Sequence, residues 1–352
     1  MFDVVISPRH SKVFNNGLHR LKHFPDEPIV VLEREPEWKW LMVANDDTYL
    51  MRGASIGHVN KINKVLRKTN SETDFDRDYA GVSTIFRDGQ NDLWGLYHGE
   101  KHEYEGEEIS QRDWKIGLVK CNGNTFDRMG VVLQTCDRNN NCHHFGLGDP
   151  SVCKMRSGEL YAYYTDLTRV SDNPENPGKC VISMARCDLQ EPEKWYKRSG
   201  NPEEAKFDVE GLEHHSPFVE LFDNAPENCD FSLPNVQYNE NWDIYIMTFV
   251  TLALDELNVD DRIPSPNRSG FYISYSEDGL RWNKPKKLFT SNVQDNGYAS
   301  SMRPSYVVHS SNGSLIKGVL YYAYSNCLEK SGYNPHYLVQ RSLELIKHSR
   351  IF

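Results

Sequence analysis

The chain has 352 residues, 38% of them hydrophobic, with 40 basic against 50 acidic side chains and a formal charge of −10. That is enough apolar material for one large repeat fold or two domains, and the acidic balance argues against nucleic acid as a partner. Eight scattered cysteines contain no Cys-x-x-Cys pair, so zinc is not expected.

Residues 1–27 give no clear pattern. Pro28–Leu32 and Trp40–Ala44 read as strands, and residues 56–70 as a polar loop or short helix. Regular hairpins then begin. Tyr79–Phe86 turns at Asp88-Gly89 into Leu93–His98, then come Trp114–Lys120 and Phe126–Leu133, four strands of one small sheet. The next unit opens at Gly148-Asp149-Pro150-Ser151-Val152, turns at Ser157-Gly158 and returns through the tyrosine-rich Leu160–Thr165. Proline is acceptable at a strand's first residue, where no ladder donor is needed. Val181–Arg186 and Trp195-Tyr196 complete that unit.

In the following unit both Ser216–Phe222, with Pro217, and Pro234–Tyr238 resemble a first strand; Trp242–Phe249 and Gly270–Ser276 follow. The last unit starts at Arg303-Pro304 and continues through Val319–Ser325 and Tyr337–Arg341. First-strand heads at Asp78, Asp149, Pro217 and Arg303 recur about every 70–85 residues, the mark of a repeat architecture. With the N-terminal strands the units number five. The expectation is an all-β chain, a five-bladed β-propeller of four-stranded antiparallel blades. It is taken as a single domain over 1–352, with 1–75 completing the ring and 76–352 supplying the remaining blades. A many-stranded β-sandwich is the alternative.

Gly148–Val152 with Tyr161–Thr165 resembles the blade opening of the arabinanase, levansucrase and invertase superfamily of five-bladed propeller glycoside hydrolases. Leu96–Glu100 and Phe271–Trp282 are similar to patterns in its bacterial members. The Ser276–Trp282 turn also resembles those of sialidases. The superfamily resemblance implies a funnel at the propeller axis lined by three carboxylates on separate blades. By position these are Asp78, Asp149 and, ahead of Pro217, Glu213, with Glu210 and Glu100 as substitutes for the acid. The family sets its Glu closer to the proline, where this chain has His215. Each carboxylate also has a plain structural role to weigh: Asp78 pairing with Arg77, Asp149 capping backbone, Glu213 solvated in a loop.

His98, His143-His144 and His214-His215 fall near one end of such a propeller, where imidazoles suit sugar hydroxyls or proton transfer; ordinary loop histidines are the simpler account. Trp94 and Tyr298 are candidates to stack on a sugar, Trp94 also reading as blade core, and Arg303 to meet an anionic group. The candidate site is therefore catalytic Asp78, Asp149 and Glu213, with His98, Glu100, Trp94, His144, His215, Tyr298 and Arg303 binding substrate. No organic cofactor and no catalytic metal are expected, with room left for a structural calcium or other ion in the funnel.

The expected partner is a carbohydrate, as substrate or as ligand of a non-catalytic binding propeller; a protein-interaction propeller is a third alternative. Neither a signal peptide nor an apolar run of membrane-spanning length is visible. The default is a cytoplasmic monomer or small homo-oligomer, or a secreted protein if a leader has been removed. The cysteines read as reduced thiols, with a Cys136–Cys142 disulfide as the oxidising-compartment alternative.

Overall fold

The computed structural model describes residues 2–9, 11–13, 29–105, 108–135, 145–167, 180–200, 205–213, 221–223, 231–251, 270–290, 304–325 and 336–348. Every regular element among them is a strand. Two N-terminal strands, β1 (Phe2–Ile6) and β2 (Ser11–Lys12), precede the first complete sheet. Blade one is β3 (Val30–Glu33), β4 (Trp38–Ala44), β5 (Asp47–Ser55) and β6 (His58–Leu66). Blade two is β7 (Tyr79–Arg87), β8 (Leu93–Glu105), β9 (Glu108–Asn122) and β10 (Thr125–Leu133). Blade three is β11 (Phe145–Lys154), β12 (Leu160–Asp166), β13 (Val181–Cys187) and β14 (Trp195–Ser199), with β15 (Lys206–Glu210) as an added edge. Blade four is β16 (Phe231–Asn239), β17 (Ile244–Thr251), β18 (Gly270–Ser276) and β19 (Lys286–Thr290). Blade five is β20 (Ser305–Ser311), β21 (Leu315–Ser325) and β22 (His336–Lys347), and β1 returns as its fourth strand, antiparallel to β22.

A blade sandwiched between two others buries both faces of its inner strands, so those strands are continuously apolar rather than alternating. All seven residues of β12, Leu-Tyr-Ala-Tyr-Tyr-Thr-Asp, are buried, whereas β10 on an outer edge is mostly exposed until its last residues. Five hydrophobic clusters fill the five gaps between consecutive blades. Leu41 and Leu50 meet Val82 and Tyr97 between blades one and two. Leu96 and Ile116 meet Leu160 and Tyr164 between two and three. Tyr163 and Met184 meet Met247 and Phe249 between three and four. Phe271 meets Leu320 and Leu343 between four and five. Val307 and Leu338 meet Trp40 and Met51 between five and one.

Polar side chains on the first strands knit the same ring. Val152 N–H donates to Thr84 Oγ1 at 3.0 Å, Val236 N–H to Ser151 Oγ at 2.9 Å, and Tyr306 N–H to Asn235 Oδ1 at 3.2 Å. Ser305 Oγ closes the circle on Ile29 O at 2.6 Å. The fold is a five-bladed β-propeller.

One expectation needs correction. The first strand of blade four is β16, with Pro234, and not a strand opening at Pro217, which lies outside the described residues. Residues 221–223 instead run beside the outer part of blade four, where Phe222 bridges Trp282. The Ser276–Trp282 turn is a capped structural turn: Asp278 Oδ1 accepts from Leu280 N–H at 2.7 Å and Arg281 N–H at 3.0 Å, and Trp282 is buried beneath it. These bonds hold the Asp278 carboxyl below its ordinary range, although burial opposes them. Cys121, Cys153 and Cys187 are free thiols, and Cys180 Sγ donates to Phe231 O at 3.5 Å; Cys136 and Cys142 lie outside the described residues.

Candidate functional site

The head of β7 pairs with the middle of β8, Tyr79 opposite Glu100. Beyond that pair β8 and β9 continue as a hairpin that outgrows the blade, with Lys101 opposite Asp113 and Glu105 opposite Glu108. Side chains alternate along a strand, so His98, Glu100 and His102 share one face of β8; the β8–β9 register shifts between Glu103 and Tyr104, and the Tyr104 ring lies 6.3 Å from that of His102. The head of β11 reaches across from blade three and pairs in parallel with β9, Phe145 opposite Asp113 and Gly146 opposite Trp114. Only glycine fits at 146: φ is +132°, and a Cβ would stand 2.2 Å from Trp114 O. At Gly148 a Cβ would meet the His98 ring at 2.9 Å, so the bare backbone gives the imidazole its place.

Asp149 follows, at φ +49°, in a bulge where β11 skips register with β12 between Gly148 and Ser151. Its Oδ1 lies 3.5 Å from His98 Nδ1. On the other side of the ring, His98 Nε2 lies 3.5 Å from Glu100 Oε1, and Glu100 Oε2 is 2.7 Å from His102 Nε2. The result is a row Asp149–His98–Glu100–His102 spanning two blades. His98 has no exposed surface. Trp114 meets it edge-on at 4.5 Å and Tyr79 lies 5.3 Å away.

Blade four provides an internal comparison. Leu233 precedes Pro234 at φ +55°, in a bulge between Ser232 and Asn235 that repeats the one around Asp149 and Pro150. The backbone device is the same and the side chain is a buried leucine. The carboxylate at 149 is therefore not demanded by the bulge. Desolvating charged groups is costly, and the fold builds this corner without them elsewhere.

Asp78 sits beside this row with its carboxylate engaged. Arg77 Nε is 3.0 Å from Asp78 Oδ2, and His102 N–H donates to the same oxygen at 2.7 Å. Arg77 also donates through Nη2 to His102 O. The pair clamps the backbone where β8 leaves the blade. Glu213 is exposed, in the turn after β15, with its carbonyl bound by Lys197. β15 is the outer edge of blade three, four strands out from β11, and Glu213 lies in the turn that follows it. Trp94 is corrected to core: it lies at the far end of β8, about 13 Å along the strand from His98, buried, with Nε1 donating to Asp88 Oδ2 at 2.9 Å. His144, His215, Tyr298 and Arg303 lie outside the described residues, as do His143 and His214.

His102, Trp114 and Tyr104 escaped the sequence reading as site residues, and Arg77 entered it only as the partner of Asp78. A signal for His102 was present, since His98-Gly99-Glu100-Lys101-His102 places three polar groups at period two. Asp149, His98, Glu100 and His102 are metal-ligating types, but they are turned toward one another, and no group of three around a common point is found among the described residues.

A five-bladed propeller with a buried carboxylate–imidazole row at the heads of blades two and three is the class that fold and site define. Several solved structures share this fold. The alpha-L-arabinofuranosidase of Lactobacillus brevis is 12% identical, with a TM-score of 0.55 over 93% of this chain and 92% of that one. The catalytic domain of the Coprinopsis cinerea GH62 alpha-L-arabinofuranosidase is 11% identical, with a TM-score of 0.54 over 97% of both chains. The xylan beta-1,4-xylosidase of Bacillus halodurans is 14% identical, with a TM-score of 0.54 over 93% of this chain and 54% of its own. At such identities the likeness is one of fold. No protein-family model matches the sequence, and no curated protein matches it significantly.

Proposed function

We propose that this protein binds a glycan at the heads of blades two and three and hydrolyses a glycosidic bond there, with Asp149 and Glu100 as the paired carboxylates. The supporting observation is the contrast between Asp149 and Leu233: one backbone corner, with a buried row of ionisable side chains at one of its two occurrences among the described residues. Buried charged clusters that a fold does not require mark functional sites. The His98 imidazole stands between the two carboxylates, 3.5 Å from each, a spacing that does not exclude the inverting class, whose carboxyl groups lie roughly 6.5–9.5 Å apart. In that chemistry one carboxylate takes a proton from water as its oxygen bonds to the anomeric carbon. The glycosidic C–O bond breaks, and the other carboxyl gives its proton to the leaving oxygen.

A second reading is a glycan-binding propeller without hydrolysis. It is favoured by Ser232-Leu233 ahead of Pro234, where the family resemblance calls for a Glu on the third carboxylate-bearing blade. One experiment separates the two. Wild type, Asp149→Asn and Glu100→Gln are assayed on aryl glycosides and on arabino-, xylo- and galacto-oligosaccharides, with calorimetric binding measured in parallel. Turnover by wild type, lost by at least 10²-fold in both variants while binding persists, is the expected result. Binding without turnover selects the second reading. Neither binding nor turnover ends both.

A further inference from the structure

We infer that the outer part of β8, from Glu100 to Tyr104, is one wall of the glycan site and that Tyr104 is its sugar-stacking surface, a subsite beyond the Asp149–His98–Glu100–His102 row. This rests on the glycan-binding reading above. Three observations carry it. First, the Tyr104 ring lies 6.3 Å from the His102 ring at 72°, which sets it beside the face that presents His98, Glu100 and His102, across the register shift between Glu103 and Tyr104. Second, Tyr104 is 53% exposed, whereas of the aromatic rings nearest the row Tyr79 is buried and Trp114 half-buried. An exposed aromatic at the end of a buried polar row supplies what a sugar ring needs: a flat apolar face next to hydrogen-bonding groups.

Third, the hairpin is held in place. Asp78 accepts from His102 N–H, and Arg77 donates to His102 O, so both backbone groups of the residue two before Tyr104 are fixed from β7's leading segment. Preorganisation of this kind removes an ordering cost from binding. It also gives Asp78 a role in positioning the wall.

The row and Tyr104 lie in sequence along a strand that rises about 3.3 Å per residue, so residues 100 and 104 are roughly 13 Å apart. That distance exceeds one sugar ring and points to an oligosaccharide rather than a monosaccharide as the ligand. The test is calorimetric titration of di- to hexasaccharides of xylose, arabinose and galactose into wild type, Tyr104→Ala and Tyr104→Phe, with circular dichroism to confirm folding. Tyr104→Ala should weaken binding by roughly three- to tenfold, more for longer chains, while Tyr104→Phe keeps wild-type affinity. Wild-type binding that Tyr104→Ala leaves unchanged at every length overturns this inference alone. A wild type that binds none of the sugars overturns the glycan-binding reading and this inference with it.

Discussion

Lys197 has its side chain wholly buried in blade three, with Nζ donating to Gln134 O at 2.8 Å and to Glu213 O. It thus ties the end of blade two to the turn after β15. Burial pushes its ammonium down from 10.5 to about 8, against the attraction of the Asp166 and Glu213 carboxylates. Below about pH 8 it is charged in both folded and unfolded chains. Between about 8 and 10.5 the unfolded chain holds the proton that the folded one has released, so this residue's contribution to stability rises with pH. Conversely, it is lost as pH falls through the folded value. Unfolding free energies of wild type and Lys197→Met from pH 7 to 10 should diverge, wild type gaining relative to the variant as pH rises. Parallel curves would show that the amine is not depressed. The same scale exposes what sequence leaves hidden. Asp149 is legible as a special position because Pro150 follows it, but only the repeat of the bulge at Leu233 shows that its charge is dispensable to the backbone.

At the level of elements, most inner strands were legible because both their faces are buried and their sequences are continuously apolar. The hairpin that matters most was cut short: β8 was read to end at His98, yet the strand runs to Glu105 and β9 starts at Glu108. Its outer half is polar because it projects beyond the blade, so no apolar run marks it. The head of blade four was set at Pro217 rather than Pro234 for a related reason. Ser216-Pro217-Phe218-Val219 mimics a Pro-led first strand as well as Leu233-Pro234-Asn235-Val236 does, and the choice is made by neighbours far away in sequence, Ser151 and Tyr306. The clamp on the hairpin gives a prediction at this scale. Arg77→Ala removes the donor to His102 O and leaves Asp78 without its cation. The blade itself is held by ladders and core, so the cost to global stability should be small, about 1 kcal/mol. Amide exchange should quicken at residues 101–105 and 108–113 while β7 and β10 stay protected. Unchanged exchange at the tip would mean that the ladder alone orders the hairpin.

The whole molecule is a ring whose five gaps are each filled by one apolar cluster, and it is closed by β1. Phe2–Ile6 pairs with Leu343–Lys347 across almost the full length of the chain, and nothing local in residues 1–27 announces that partnership, so the closing strand was not legible. Phe2 does more than complete a ladder. It is buried in the cluster between blades four and five, with its ring 5.0 Å from Tyr275 and 5.7 Å from Trp242. Lys286 Nζ donates to its carbonyl at 2.7 Å. Arg341 holds the segment that follows, donating to Ser7 O at 3.1 Å and Pro8 O at 2.9 Å. The strand therefore belongs both to blade five by hydrogen bonds and to blade four by packing. A ring of this kind shares its stability among gaps, so weakening one gap should be felt by all. Phe2→Ala removes a buried aromatic and should cost about 3 kcal/mol of unfolding free energy, measured by denaturant titration. Tryptophan fluorescence and far-ultraviolet circular dichroism should shift together to the lower midpoint. If the midpoint holds and only amide exchange at β1 and β22 quickens, the strand is a peripheral edge, and the circle is held by the four remaining gaps and the Ser305–Ile29 contact.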